Sequence, residues 1–254
     1  MTAARIRVYN HIPDFIGLDD NALPQRIERL KQRLSRRNPM AVPVRRTIGS
    51  AIEPLETAPD RDALLHGLLE QDLSAVARTT LLGLGDALPP LNGRIICHLV
   101  PNGGRRGSGT AWGKDRLLAT VPCKGDAASW LRFVIAHEYS HTQRDFGQFQ
   151  PETVRDHLIF EGLAMVLAET MIPKPTPYPW DDVTAEEEAA FSQTVDLDAR
   201  GLEAYTRYMR HDAAYETGAR IVRSYLDRHG MSIVEAHRLP TTELYPSSGY
   251  PFLR

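Results

Sequence analysis

The sequence predicts a mostly helical α+β fold in which a small mixed sheet packs on one buried helix. Three observations carry that expectation. Apolar residues recur at helical spacing over much of the chain, as at Ile27, Leu30 and Leu34. A β-rich block, residues 94–100, interrupts the pattern between Pro89-Pro90 and Pro101. An apolar run, residues 130–136, then leads into His137-Glu138-Tyr139-Ser140-His141, as a core helix would.

Length and composition bound the rest. A chain of 254 residues suits one large domain or two small ones. The change of character near residue 90 suggests a helical region over 1–90 and a second region over 91–254. The net charge of −2 supplies no basic field for nucleic acid. The arginines between Arg26 and Arg37, and the pair Arg45-Arg46, are expected to be solvated helix faces. The two cysteines, Cys97 and Cys123, form no Cys-x-x-Cys pair, and the N-terminus has no apolar signal-peptide core. No run approaches 18 apolar residues, so no membrane span is expected and the cytoplasm is the default location.

In chain order, residues 6–9 suggest a short strand. Residues 20–38 suggest a helix opened by Asp20 or Asn21, with Pro24 in its first turn. Four breakers, Pro43, Gly49, Pro54 and Pro59, make residues 41–59 read as an extended linker. Asp60 then opens a leucine-rich helical region with a break expected at Gly83-Leu84-Gly85. After the strand at 94–100, in which His98 is expected to be a hydrogen-bonded strand residue, residues 102–109 read as a mobile hairpin tip. Two more short strands follow, residues 110–113 and 117–121. Thr110, Ala111, Trp112 and Gly113 are the candidate edge that would pair with an extended peptide. Asp126 is placed to cap the metal-type helix, expected to run to about residue 145, and Pro151 to open a second long helix ended by Pro173. Residues 173–182 read as a stiff proline-rich connector. Helices are expected over 185–193, 202–210 and 213–228, the last closed by Gly230.

The chemistry gathers on residues 137–141. On a helix, positions four apart lie one turn above each other, so His137 and His141 project from one face and reach one metal ion. Glu138 is rotated by about 100° from His137, which sets it beside the metal as a general base for a metal-held water. A catalytic zinc has three protein ligands and one open position. Glu161 is the candidate third ligand. It would emerge from an apolar stripe of Val154, Leu158, Met165 and Ala168, where an unpaired charge is costly. Gly162 would let this second helix lie close to the first. His157, one turn before Glu161, remains a rival ligand or an outer group. A transition-state donor is to be sought among Tyr205, Tyr208, His211 and Tyr215. Arg220 is a candidate for a substrate carboxylate, although an interior ion pair weighs above it.

His-Glu-x-x-His followed twenty residues on by Glu161-Gly162-Leu163-Ala164 resembles the gluzincin, thermolysin-like zinc metallopeptidases. More closely, residues 91–250 resemble an uncharacterised family of predicted Zn-dependent proteases. Further support comes from residues 95–121, 133–139, 215–222 and 246–250. The resemblance implies a zincin-like fold, one Zn2+ ion on His137, His141 and Glu161, and a peptide or protein substrate. It also selects Tyr215 as the stabilising donor, with His211 one turn away. The chain departs from the pattern at Met165, where relatives place an acid, and at Ala214, where glycine is expected. The rival expectation is a zinc-stabilised binding or regulatory module with the same ligands and no turnover.

Overall fold

A computed structural model describes residues 5–36, 41–144, 151–172, 177, 183–209 and 212–250. It is mostly helical with one four-stranded mixed sheet. The first part contains β1 (Arg5–Asn10), a 3-10 turn (Ile12–Phe15), α1 (Ala22–Ser35), α2 (Ala41–Glu56), α3 (Arg61–Leu69) and α4 (Leu73–Ala87). The sheet is completed by β2 (Arg94–Asn102), β3 (Gly109–Ala111) and β4 (Arg116–Pro122). Then come α5 (Ala127–Arg144), α6 (Val154–Met171), α7 (Ala185–Thr194), α8 (Gly201–Tyr208) and α9 (Asp212–His229). Two short helices, α10 (Ile233–Ala236) and α11 (Thr241–Ser247), end the described chain.

The strand order is β1-β2-β4-β3. The first three strands are parallel and β3 runs antiparallel on the edge of β4. Regions 1–90 and 91–254 therefore share a sheet, since β1 pairs with β2 from Arg5↔Arg94 to Asn10↔Leu99. They also share a core: one apolar cluster runs from Ile12 to Tyr245.

Several local expectations are corrected. Residues 41–56 are not a linker but α2, which buries Val44, Ile48, Ile52 and Leu55 at helical spacing. Pro43 sits in the first turn, where its missing N–H has no helical partner to lose, and Pro54 sits in the last. The apolar period outweighs both breakers. The expected break at Gly83–Gly85 falls instead at residues 70–72, because Asp72 caps α4 through Ala75 N at 3.0 Å. Asn21 is the N-cap residue of α1 but makes no side-chain cap bond; Asp19 supplies the acceptor instead, for Asn21 N and Ala22 N. Pro151 precedes α6; the start is set by a reciprocal cap between Thr153 and Asp156. Asp126 does cap α5, through Ser129 N at 2.9 Å.

Residues 102–109 are not a hairpin tip, because β2 and β3 do not pair. Asn102 pins the loop, donating from Nδ2 to Arg106 O and Thr120 Oγ1 and accepting from Gly104 N. Gly103 N donates to Ala51 O at 2.9 Å, which seats the loop on α2. The connector at 173–182, apart from Pro177, and residue 145, where the metal-type helix was expected to end, lie outside the described residues. Among the described residues, no helix is long and apolar enough to cross a membrane.

A part-buried histidine pair ties the N-terminal region to the sheet. Arg33 donates to His11 Nδ1 at 3.0 Å, and His11 Nε2 lies 3.1 Å from His98 Nδ1. Arginine only donates, so His11 carries its proton on Nε2 and passes a hydrogen bond to His98. Asp14, 3.4 Å from the same Nδ1, favours a proton there, but burial and Arg33 outweigh it and hold His11 low. Burial, with His11, Arg33 and Arg116 nearby, pushes His98 down to about 3 from 6.5. The unfolded chain thus binds more protons between those values, so this contribution is whole above pH 6.5 and is lost as pH falls towards 3. Urea midpoints should accordingly fall between pH 7 and pH 4.5. The fall should be shallower in His98→Leu; an unchanged slope would remove His98 from the account.

Candidate metal centre

The centre is built where α5 and α6 lie side by side. Both helices are buried along most of their length, so the side chains facing between them leave water almost completely. His137 Nε2 and His141 Nε2 lie 3.1 Å apart. Glu161 Oε2 lies 3.1 Å from the first and 3.3 Å from the second. Side-chain exposures are only 12%, 10% and 7% in that order. Among the described residues, this is the group of three or more His, Cys, Asp or Glu side chains with metal-ligand geometry.

The donor set fits a divalent ion. Bonds of about 2.0–2.1 Å in a tetrahedron set ligand atoms about 3.3 Å apart, close to the observed triangle. Two imidazole nitrogens and a carboxylate oxygen also crowd one point, an arrangement that a shared proton or a metal cation must bridge. The imidazole planes are nearly perpendicular, at 88°, so both nitrogens can face one centre. Burial alone would raise Glu161, but the two imidazoles outweigh it and hold the carboxyl well below the usual range.

Glu138 stands beside this triangle and outside it. It is buried, and desolvation pushes its carboxyl above the usual range against the pull of His141 and His137. The backbone of Ala111 on the edge strand lies close enough to offset a small part of that rise. Gly109 makes that approach possible: a Cβ there would stand 2.6 Å from Glu138 Cγ and 2.8 Å from Oε1. Tyr215 enters from α9, its ring 6.2 Å from that of His137. The negative charge of Glu161, then burial, raises its phenol well above 10, so the hydroxyl keeps its proton.

A family model described as "Predicted Zn-dependent protease (DUF2268)" matches residues 98–245, more than half of the chain. The chain belongs to this family. The matched stretch holds His137, Glu138, His141, Glu161 and Tyr215 and runs from β2 to α11. The "Uncharacterized protein YjfC" of Bacillus subtilis (strain 168) is 29% identical over 139 residues. That match covers 46% of this chain, and the chain spans 46% of that protein's own length. No solved structure matches.

The remaining candidates fall in different places. Thr110 and Ala111 lie on the edge strand, together with Gly109, which the sequence pattern did not single out. Trp112 and Gly113 fall in the turn beyond it, Gly113 at φ 71°. The indole of Trp112 is buried over His98, with ring centroids 5.8 Å apart. Arg220 takes the interior ion pairs: Nε donates to Glu216 at 2.9 Å, and the guanidinium also pairs with Glu188. His157 is outside the triangle and packs edge-on against Tyr205 at 4.8 Å. Tyr205 in turn hydrogen-bonds Tyr215. Tyr208 is buried in a satellite cluster with Val154 and Leu158. His211 lies outside the described residues.

Gly162 has a different neighbour from the one expected. A Cβ on Gly162 would stand 2.2 Å from Gly218 O, and one on Gly218 would stand 2.2 Å from Leu158 O. The close approach is thus between α6 and α9. It brings Glu161 and Tyr215 to the same site from neighbouring helices. Only the pairing of two distant glycines, 162 and 218, carried a signal for it. Of the two departures from the family pattern, Met165 is core and Ala214 packs in the cluster with Leu158.

Proposed function

We propose that this chain is a gluzincin-type zinc peptidase with one Zn2+ held by His137, His141 and Glu161. The observation that carries the reading is the near-equilateral triangle of donor atoms with a buried carboxylate, Glu138, alongside but not part of it. When bound, zinc supplies a Lewis acid that polarises the scissile carbonyl and makes water acidic near neutral pH. Glu138 takes a proton from the attacking water onto a carboxylate oxygen and returns it to the leaving amine. Its place beside the triangle, buried and outside the ligand set, suits a group that must hold a proton between two steps. Tyr215, kept protonated, donates to the carbonyl oxygen as negative charge develops there.

The edge strand supports a peptide substrate. Trp112 N donates to Arg116 O and Thr120 N to Ser108 O, so Thr110 faces inward to β4. By the alternation of an antiparallel pair, the backbone groups of Gly109 and Ala111 turn outward. The backbone of Ala111 lies on the Glu138 side. The outward groups left for an extended peptide are then those of Gly109 and the carbonyl of Ala111.

The test is cleavage of a peptide library by the zinc-loaded chain before and after chelation. Cleavage should vanish on chelation and return with zinc. The far-UV CD spectrum should persist throughout, because α5 and α6 rest on a core that does not include the ion. Loss of the fold in chelator, with no cleavage by the loaded chain, would favour the zinc-stabilised binding module instead.

A further inference from the structure

We infer that Phe160 is a positioning residue for the metal, setting the His141 imidazole in its ligating orientation. The inference rests on the zinc reading and deepens it. The rings of Phe160 and His141 are nearly parallel, at 14°, with centroids 4.2 Å apart. Phe160 is 8% exposed and immediately precedes Glu161 on α6. It therefore reaches across from the helix that supplies the third ligand to cover one face of a ligand on the other helix.

That contact has two physical effects. A ring at face-contact distance blocks rotation of the imidazole about its terminal torsion, which is otherwise broad. The orientation cost is then met in folding rather than on binding, which raises affinity. An imidazole that has given its lone pair to a cation is also electron-poor, and the negative face of the phenyl ring attracts it. His137 provides an internal comparison. Phe133 lies near its ring, but with centroids 6.3 Å apart and planes at 28°, beyond face contact. The Glu161 contact and the contact between the two imidazoles are common to both ligands, and the other rings near His137, those of Phe133 and Tyr215, stand at 6.3 and 6.2 Å.

The experiment is zinc titration of the metal-free full chain against a chromogenic chelator, in wild type, Phe160→Leu, Phe160→Tyr and Phe133→Leu. Thermal melts of the metal-free proteins establish that each variant folds. Phe160→Leu should weaken zinc binding by about 10-fold or more, the range typical of groups that orient a ligand. Phe160→Tyr keeps the ring and should stay close to wild type, and Phe133→Leu should lose less than Phe160→Leu. Binding by Phe160→Leu within about twofold of wild type would overturn the inference while leaving the metal reading intact. Equal losses in the two leucine variants would also overturn it, since they would report loosening of the core. A wild-type chain that takes up no zinc would overturn the metal reading and this inference together.

Discussion

Glu138→Gln is expected to lower peptide cleavage by about 10²–10⁴-fold, the range for a general base in proton transfer. Zinc content should stay at the wild-type level, because Glu138 is outside the triangle of donor atoms. The substitution keeps the length and shape of the side chain. An amide of the same size fills the same space against Gly109, so the edge strand should hold its place. What is lost is the ability to take a proton from water. The two measurements are turnover of the best library peptide and metal analysis of the same preparation. Full turnover with zinc retained would remove Glu138 from the mechanism. Loss of zinc would show instead that its carboxylate belongs to the ligand set.

Gly218→Ala is expected to destabilise the fold by about 3 kcal/mol or more, at the upper end of overpacking costs. The new methyl would stand 2.2 Å from the backbone carbonyl of Leu158, which cannot swing aside as a flexible side chain would. The helices α6 and α9 must then separate, carrying Glu161 away from Tyr215. Gly83→Ala is the matched control, because nothing lies within 4 Å of a Cβ there. In that exposed helical position alanine should stabilise by about 0.5–1 kcal/mol. Urea midpoints of the two variants should move in opposite directions. A neutral Gly218→Ala would mean that the crossing tolerates a wider spacing and does not fix the site.

The parts of the site that follow local periodicity were legible in the sequence. His137 and His141 are one turn apart, and Glu161 sits in an apolar stripe that its charge does not suit, so the three could be named without a structure. The apolar register of α2 was equally present, but four proline and glycine residues obscured it. A proline costs little in a first turn, and position within the helix cannot be judged before the helix is known. Contacts between distant segments were not legible. Nothing near Gly162 announces that Gly218 faces it, and nothing near Gly109 announces Glu138. Tyr205 and Phe160 gain their roles only from neighbours that the folded chain supplies.

The parallel pairing of Arg5 with Arg94 has a consequence for how the molecule can be made. As the polypeptide emerges from a ribosome, its first strand has no partner until four helices have followed it. Unpaired β-edges invite association with other chains, so those helices must shelter it or delay its extension. The same pairing bears on fragments. The family match begins at His98, in the middle of β2, so a piece cut there would lose β1 and half of the strand that flanks it. Such a piece would present a raw border to its neighbours and should precipitate, even though all three residues of the proposed metal centre are still aboard.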